Sequence, residues 1–271
     1  MTELSQPTYT LHRGTAPLLI SIPHAGTQLP AEIARRMAPI AAHLDDTDWH
    51  LPRLYAFAAE LGASILVPAN SRYVIDLNRP PNDENLYPGR STTGLCPVDT
   101  FEGTPLYAAG AQPDDAERAA RLAVYWQPYH SALQGELERL RAEHGVALLW
   151  EAHSIRSVIP RLFDGRLPDL NLGTADGAAC GAGIGETLRD IAARHDGYSA
   201  VLNGRFKGGY ITRAYGKPAE NIHAVQLEMT QCAYMEEARP YAYDEAAAAR
   251  VTPVLRELLR AYLDWGVARS K

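Results

Sequence analysis

Cysteine is scarce in this chain. Only Cys96, Cys180 and Cys232 occur among 271 residues. They lie far apart, form no Cys-x-x-Cys pair and are odd in number, so the sequence predicts neither a disulfide framework nor a thiolate zinc site. We expect the three thiols to be buried and inert. Because disulfides persist mainly in oxidising compartments, a cytoplasmic location fits this composition.

Long apolar runs and clusters of basic residues are also missing. No stretch approaches the roughly 20 apolar residues of a membrane helix, and the first ten residues lack the basic and apolar regions of a signal peptide. The formal net charge is -6, and a negative chain without a basic patch is a poor match for nucleic acid. We therefore expect neither a membrane nor a nucleic-acid partner, and the sequence leaves the oligomeric state open.

The remaining composition is that of an ordinary globular protein. Hydrophobic residues make up 46% of the chain and charged residues 21%, and the length is ample for one large core. We find no internal repeat and no linker that would separate two folding units. The sequence therefore predicts one α/β domain over residues 1–271.

The stretch 146–154, which reads VALLWEAHS, carries the strongest signal in the chain. Its apolar part, 146–150, is too short for a buried helix and predicts a strand covered on both faces, as in a parallel sheet. Glu151, His153 and Ser154 follow without a spacer. Because ligands bind beyond the carboxyl ends of strands in open α/β sheets, His153 is a candidate ligand of a metal or a substrate. The alternative is a histidine satisfied by hydrogen bonds at a strand end.

A second histidine, His24, follows another predicted strand, APLLISI at 16–22. Pro23 cannot continue a central ladder, so the chain leaves the sheet at this point. By the same periodicity arguments we predict further strands over 64–68, 200–202 and 223–230, and helices over 31–40, about 51–61, 114–144, 181–194 and 255–265. Pro128 is expected to kink the long helix, and Gly145 to end it.

Three carboxylates lie close together at Asp45, Asp46 and Asp48. Like charges at this spacing need full solvation or a function. One interpretation is that Asp46 or Asp48 caps the helix beginning near residue 51. The other is that one of these aspartates binds a metal, and capping by a different aspartate is compatible with it.

Arginines near turns are candidates for binding an anion, because the planar guanidinium donates two parallel hydrogen bonds to a carboxylate. Arg79 follows Asn78 and precedes two prolines, whereas the pattern around Arg72 is more typical of a surface loop. Arg213 follows a glycine pair that lacks the spacing of a phosphate-binding loop. The long irregular stretch 82–106 is expected to form a lid or a binding wall.

Combined, these residues suggest a catalytic centre. His24, His153 and an aspartate, with water in the fourth position, would form a common catalytic zinc shell. Glu228 lies on the predicted strand 223–230, on the face opposite Val225 and Leu227, and is the candidate general base. This chemistry is amide hydrolysis. The competing structural interpretation is that the histidines and aspartates are unrelated turn and capping residues.

Five segments resemble the N-formylglutamate amidohydrolase family. They are SIPHAG at 21–26, DTDWHLPRLYAF at 46–57, SRYVIDLNRP at 71–80, LLWEAHSIRSVIPRLFDGRLPDLNLGT at 148–174, and GGYITRAYGKP with VQLEMTQCAYM within 208–235. They follow the family's order and span nearly the whole chain. The resemblance implies an α/β fold of the zinc carboxypeptidase-like (phosphorylase/hydrolase-like) type, a three-layer sandwich with a central mixed, mostly parallel sheet.

The resemblance also implies roles for individual residues. His24 and His153 would hold one divalent metal ion, with zinc as the expected ion, and Glu228 would be the general base. Asn78 and Arg79 would bind a substrate carboxylate. Carboxypeptidase-type relatives take their acidic ligand three residues after the first histidine, but this chain has Thr27 there. The acid must come from elsewhere, and Asp48 is preferred over Asp46.

The activity implied is hydrolysis of N-formyl-L-glutamate, a small anionic amino-acid derivative, to formate and L-glutamate in histidine degradation. Arg79 would bind one of the two substrate carboxylates, and Arg72, Arg156 or Arg213 the other. Two alternatives remain: a hydrolase of another N-acylated acidic amino acid, and a non-catalytic binding protein of the same fold.

Overall fold

Seven strands form one mixed sheet in the computed structural model, which describes residues 7–86, 89 and 91–269. The strand order across the sheet is β1-β3-β2-β4-β7-β5-β6. The strands are β1 (Tyr9–His12), β2 (Leu18–Ser21), β3 (Ser64–Pro68), β4 (Ala147–Ile155), β5 (Leu170–Gly173), β6 (Ala200–Leu202) and β7 (Ile222–Thr230). Strands β3, β2, β4 and β7 run parallel, whereas β1 and β5 are antiparallel to their neighbours β3 and β7. The predicted mixed, mostly parallel sheet is therefore confirmed.

Helices cover both faces of this sheet. They are α1 (Ala31–Ala34), α2 (Leu51–Leu54), α3 (Asp115–Arg121), α4 (Gln127–His144), α5 (Ile184–Ala193), α6 (Tyr210–Tyr215) and α7 (Glu245–Val267). Alternate residues of a strand point to opposite faces. Leu148 accordingly packs in the core that contains α5 and α7, and Leu149 packs in the core that contains α4. The sheet and the helices packed on each of its faces form the three layers that the resemblance implied.

Strand β4 is longer than predicted. The apolar run suggested an end at Trp150, but the strand continues through Glu151 and His153 to Ile155. The reason is pairing: β4 lies beside β7 along its whole length, whereas β2 pairs only with residues 148–151. The last four residues of β4 therefore extend past the end of β2. The prediction that His153 follows the strand is corrected: His153 belongs to the part of β4 that projects beyond β2.

The segment before α2 also differs from one expectation. His50 is the N-cap residue, in the left-handed region at φ 61°, and among the described residues no side chain caps this helix. Neither Asp46 nor Asp48 caps α2, because both carboxylates accept hydrogen bonds from other segments. The predicted helix 51–61 is α2 followed by a 3-10 helix, Tyr55–Leu61. The predicted helix 31–40 is reduced to α1 and a 3-10 helix, Pro39–His43.

The long helical stretch before β4 contains a π-turn. Asp114 caps α3 by accepting a hydrogen bond from the Glu117 amide. A π-turn over Leu122–Trp126 joins α3 to α4, and α4 ends at Gly145 in the left-handed conformation, as predicted. Proline lacks the amide that would continue the α-helical ladder. Instead of a simple kink at Pro128, the helix widens by one residue in the turn just before it.

Several other features bear on the expectations from sequence. Stretch 82–106 is irregular, as predicted, although its residues 87, 88 and 90 lie outside the described part.

Cys96 and Cys180 are buried, and burial raises the pKa of each thiol to about 11, whereas Cys232 is only partly buried. Within the described residues, no helix has the length and apolar character required to cross a bilayer.

Buried His130 on α4 predicts a loss of stability in acid. Burial lowers the pKa of His130 from 6.5 to about 4. Between these values the unfolded chain binds the proton more tightly, so stability that is complete above pH 6.5 is lost as the pH falls toward 4. A shift of this size corresponds to about 3 kcal/mol. Urea denaturation of the metal-free protein between pH 7 and 4 measures it. His130→Gln, which does not titrate there, should show a shallower dependence, and equal slopes would contradict the prediction.

Candidate metal centre and substrate cleft

Three predicted ligands, His24, Asp48 and His153, meet at one point. His24 lies three residues beyond the end of β2, Asp48 lies in the loop before α2, and His153 is on the projecting part of β4. Their ligand atoms all lie within 4.8 Å of one another, and the three residues are 4%, 1% and 3% exposed, respectively. Three donors from distant parts of the sequence are thus buried in one place.

The two imidazoles are oriented by carboxylates. His24 Nε2 donates a hydrogen bond to Asp76 Oδ1 at 2.7 Å, and His153 Nε2 donates to Glu151 Oε1 at 2.9 Å. The Nδ1 atoms of both rings face Asp48 Oδ2, at 3.7 Å from His24 and 3.1 Å from His153. A histidine that binds a metal typically donates its other ring N–H to a carboxylate, which fixes the tautomer and orientation. Both rings have this arrangement.

The charges around the two histidines differ. Burial, together with the positive charge of Arg72, lowers the pKa of His24. Burial acts in the same direction on His153, but the negative charges of Glu151 and Asp48 outweigh it and raise the pKa of His153 well above 6.5. Metal ligation requires the free nitrogen lone pair, so binding of a cation would release a proton from His153.

This donor set fits a divalent metal ion. Two imidazole nitrogens and one carboxylate oxygen are ligands that zinc and other divalent transition metals accept. Of the two candidate aspartates, Asp48 faces the histidines. The Asp46 carboxylate accepts hydrogen bonds from the Phe101 amide at 2.8 Å and the Tyr73 hydroxyl at 3.0 Å. Asp46 therefore connects its loop to the wall of the cleft and lies outside the cluster.

The expectation that Arg72 lies on a surface loop is wrong. Arg72 is buried beside the cluster, where Nη2 donates to Asp76 Oδ2 at 2.6 Å and Nη1 lies 3.2 Å from His24 Nδ1. Its guanidinium also stacks on the Phe101 ring at 4.7 Å. Burial would raise the pKa of Asp76, but the charge of Arg72 outweighs it and holds that pKa well below 3.8. Asp76 thus stays ionised between His24 and Arg72.

Glu228 lies on the strand next to His153. The register of β4 and β7 pairs His153 with Glu228, and Glu228 lines the same cleft as His24 and Arg72. As predicted, it lies on the face opposite Val225 and Leu227; Ala224 is on the same face as Glu228. No hydrogen bond to its carboxylate occurs among the described residues. Burial raises the pKa of Glu228 to about 8, and a divalent cation in the cluster would lower it.

Asn78 and Arg79 form one wall of this cleft. The Ile211 amide donates to Asn78 Oδ1 at 2.9 Å, which fixes the carboxamide with its nitrogen 3.0 Å from His153 Nε2. Because that imidazole proton goes to Glu151, this contact is not a hydrogen bond, and the bond from the Ile211 amide is what orders the carboxamide. Arg79 donates to Thr93 and to the Asn78 carbonyl through three N–H groups. A guanidinium has five, so one N–H on each terminal nitrogen remains for a carboxylate.

The glycine pair before α6 packs against Asn78. The sequence suggested close approach of this backbone to a ligand or a tight turn. Gly209 donates its amide to Gln226 Oε1 at 2.7 Å, and a Cβ at this position would lie 2.3 Å from Asn78 Nδ2. Three residues further on, Thr212 donates to Glu151 Oε2 from both its amide and its hydroxyl. The start of α6 therefore supports Asn78 and, through Glu151, His153.

Gly209→Ala should impair the cleft without unfolding the protein. The added methyl would displace Asn78, and overpacking of this kind costs about 1–3 kcal/mol. We expect kcat/KM for the substrate proposed below to fall about 10- to 100-fold, as measured by steady-state kinetics. Gly135→Ala is the matched control, because its Cβ would have no atom of the described residues within 4 Å. Activity equal to the wild type in Gly209→Ala would contradict the steric argument.

The structure places the remaining arginines differently. Arg213 is exposed, its Nε donates to the Gly208 carbonyl at 2.9 Å, and it is not among the described residues that line the cleft. Arg156 donates to Glu102, and the cleft lining does not include it. Arg205, which the sequence analysis did not select, lines the cleft beside Phe206 and donates from Nε to the Leu162 carbonyl.

Asp76, Glu151 and Arg205 are thus the residues that the sequence analysis missed or left without a role. The role of Glu151 could have been predicted, since it lies two residues before His153 on the same strand and so on the same face. Asp76 had a weaker one, a carboxylate within the apolar segment VIDL. Arg205 had none, because its segment has no periodicity.

A mixed α/β sheet with a buried His–Asp–His cluster that could hold a metal ion, a carboxylate on the adjacent strand and cationic walls suits a hydrolase with a potential metal site. Comparisons with known proteins narrow this class. The sequence model described as N-formylglutamate amidohydrolase matches residues 16–235. This chain belongs to the N-formylglutamate amidohydrolase family.

Individual relatives agree with this assignment. The chain is 54% identical over 260 residues to an N-formylglutamate deformylase of Pseudomonas putida. The aligned region covers 96% of this chain and 97% of the relative. It is also 54% identical over 257 residues to an N-formylglutamate deformylase of Pseudomonas aeruginosa, covering 95% and 96%. The crystal structure of N-formylglutamate amidohydrolase from Ralstonia eutropha JMP134 is similar, with a TM-score of 0.78, 26% identity and coverage of 96% and 97%.

Proposed function

We propose that this protein hydrolyses N-formyl-L-glutamate to formate and L-glutamate, with one zinc ion held by His24, Asp48 and His153. The observation that carries the proposal is geometric: His24 and His153 of this cluster, Glu228 and the Asn78–Arg79 pair line one cleft, and Asp48 lies against the two histidines. The relatives at 54% identity support the substrate. We also propose a cytoplasmic location, and one domain over residues 1–271, which the single continuous sheet supports.

Each residue has a defined task in this reaction. When bound, a divalent cation polarises a carbonyl oxygen and acidifies a water molecule. Glu228 accepts a proton from the attacking water and delivers it to the amide nitrogen of the leaving glutamate. Asp76 and Glu151 keep the imidazoles of His24 and His153 oriented throughout. One carboxylate thus serves as base and then as acid.

Arg72 stabilises the oxygen of the formyl group as negative charge develops on it. Its guanidinium lies beside His24, at the point on which the cluster converges, and its ion pair with Asp76 holds it there. A preorganised cation in a water-poor site stabilises such charge more strongly than it would in water. This role differs from binding of a substrate carboxylate, which the sequence suggested for Arg72.

The two substrate carboxylates are bound on separate walls. We assign the α-carboxylate, which is close to the scissile nitrogen, to Asn78 and Arg79, because Asn78 adjoins His153. The side-chain carboxylate is assigned to Arg205, which lines the cleft on the segment before α6. Local arginines are needed because the net charge of the protein is negative and its overall field repels a dianion.

Formate release from N-formyl-L-glutamate tests the function directly. We expect turnover by the zinc-loaded wild type and much weaker turnover of N-formyl-L-norvaline, which lacks the side-chain carboxylate. Efficient turnover of a different N-acylated acidic amino acid, with none of the formyl compound, would overturn the substrate assignment. One bound metal without turnover of any N-acyl amino acid would favour a binding protein.

Replacement of Arg205 should reduce the discrimination between these substrates. A charged hydrogen bond is worth about 1.5–3 kcal/mol, so Arg205→Met should raise KM for N-formyl-L-glutamate about 10- to 100-fold and leave the values for N-formyl-L-norvaline almost unchanged. Arg213→Met is the control, since Arg213 is exposed outside the cleft. An effect of Arg213→Met alone would instead favour Arg213, one of the three arginines that the resemblance offered for the second carboxylate.

A further inference from the structure

Residues 71–80 carry Arg72, Asp76, Asn78 and Arg79 but contain no helix or strand. A segment without a hydrogen-bonded ladder must satisfy its backbone groups elsewhere when it is buried. Three of its carbonyl oxygens accept hydrogen bonds from side chains of one long helical stretch. The donors are Arg121 Nη1 to the Val74 carbonyl at 2.9 Å, His130 Nε2 to the Leu77 carbonyl at 2.9 Å, and Trp126 Nε1 to the Arg79 carbonyl at 3.0 Å.

The π-turn places these three donor side chains on one face of the helical stretch. Arg121, Trp126 and His130 are spaced by five and then four residues. In a regular α-helix, five residues rotate a side chain by about 140° from the starting face. Here the Gln127 amide bonds to the Leu122 carbonyl, five residues back, and a π-turn accommodates that extra residue within roughly one turn. The widened turn therefore returns Trp126 to the face that Arg121 and His130 present to residues 71–80.

The two aromatic donors also support each other. The rings of Trp126 and His130 stack with centroids 3.6 Å apart, and the residues are 6% and 2% exposed. His130 Nδ1 accepts a hydrogen bond from the Tyr215 hydroxyl at 2.9 Å, which leaves Nε2 as the protonated nitrogen that donates to Leu77. Tyr215 is on α6, whose first turn donates to Asn78 Oδ1. The support thus reaches Asn78 from two helices.

We propose that Trp126 and His130 are positioning residues for the Asn78–Arg79 pair. They bind the carbonyl groups of Leu77 and Arg79, the two residues that flank Asn78 in the sequence. These bonds fix the backbone on both sides of Asn78, and thereby the orientation in which Asn78 and Arg79 bind a carboxylate. The proposal rests on the proposed function, because it assumes that the pair binds the α-carboxylate. Neither residue lines the cleft, so both act through the backbone that they hold.

Conservative aromatic and amide variants separate the positioning role of these residues from their role in core packing. Trp126→Phe keeps a stacked ring but removes the N–H donor. His130→Phe removes both polar atoms, whereas His130→Gln retains a donor near the position of Nε2. One hydrogen bond is worth about 1 kcal/mol. We expect Trp126→Phe and His130→Phe to raise KM for N-formyl-L-glutamate about fivefold with kcat within twofold, and His130→Gln to stay within twofold of the wild type.

A substrate without the α-carboxylate provides the decisive comparison. With N-formyl-L-glutamate α-amide, KM should not change in Trp126→Phe, because there is no carboxylate for the pair to bind. Trp150→Phe is the matched control. It removes a buried indole hydrogen bond, Nε1 to the Tyr55 hydroxyl at 3.1 Å, in the opposite core, and should lower the melting temperature without changing KM.

Three results would overturn the proposal. They are equal KM effects on acid and amide substrates, a KM effect of Trp150→Phe as large as that of Trp126→Phe, and a wild-type KM in both Trp126→Phe and His130→Phe. Absence of turnover by the zinc-loaded wild type would instead refute the proposed function, and the positioning role with it.

Discussion

Glu228→Gln is expected to lower kcat for hydrolysis of N-formyl-L-glutamate about 10³- to 10⁴-fold, near the upper end of what a general base contributes. Glutamine has almost the same shape but cannot accept the proton of the attacking water. Because the Glu228 carboxylate makes no hydrogen bond among the described residues, the substitution removes no structural contact there. The stability of the variant should therefore equal or exceed that of the wild type, since glutamine never carries the charge that burial disfavours at this position.

Measurement of the metal content of Glu228→Gln distinguishes loss of the general base from loss of the metal. Glu228 lies outside the His–Asp–His cluster, so the variant should retain one equivalent of metal and bind substrate with a KM within a few-fold of the wild type. Glu136→Gln is a suitable control, because Glu136 is a buried carboxylate on α4 bonded to Ser64 and Arg139. It should lower stability and leave kcat unchanged. If Glu228→Gln kept a tenth of the wild-type kcat, Glu228 would not be the base.

Removal of the metal is the second large effect. Chelation should abolish turnover, and zinc should restore it. Asp48→Asn keeps the shape of the side chain and can still accept the hydrogen bond that the Ser154 amide donates to Asp48 Oδ2. It removes the negative charge that faces both imidazoles. Changes in outer-shell residues cost 10- to 100-fold in metal affinity, so loss of a ligand charge should cost more, about 10³-fold.

Asp46→Asn is the paired control for this experiment. Asp46 is two residues from Asp48 and is also buried, but its carboxylate is bonded to Phe101 and Tyr73. We expect this variant to retain one equivalent of zinc by elemental analysis, and Asp48→Asn to lose it at micromolar metal. Loss of metal from Asp46→Asn with retention by Asp48→Asn would reverse the choice between the two aspartates. Turnover that survives complete chelation would refute the metal-dependent mechanism.

The sequence by itself determined the order and kind of most elements. Short apolar runs predicted β3 at its observed bounds and β2 and β7 within one or two residues of theirs, because local periodicity reports which faces of a strand are buried. The same reasoning identified His24 and His153 near strand ends and placed Glu228 on the face away from Leu227. Family motifs then supplied the likeness that the comparisons confirmed.

Only the tertiary structure decided how these residues meet. His24 and Asp76 are 52 residues apart in the chain, and His153 and Asp48 are 105 apart. No local pattern encodes such a pairing. The extension of β4 depends on β7, nearly 70 residues later, and the burial of Arg72 depends on Asp76 and Phe101 packing around it. Periodicity carries information over a few turns, whereas hydrogen bonds and ion pairs join whatever the folded chain brings within about 3 Å.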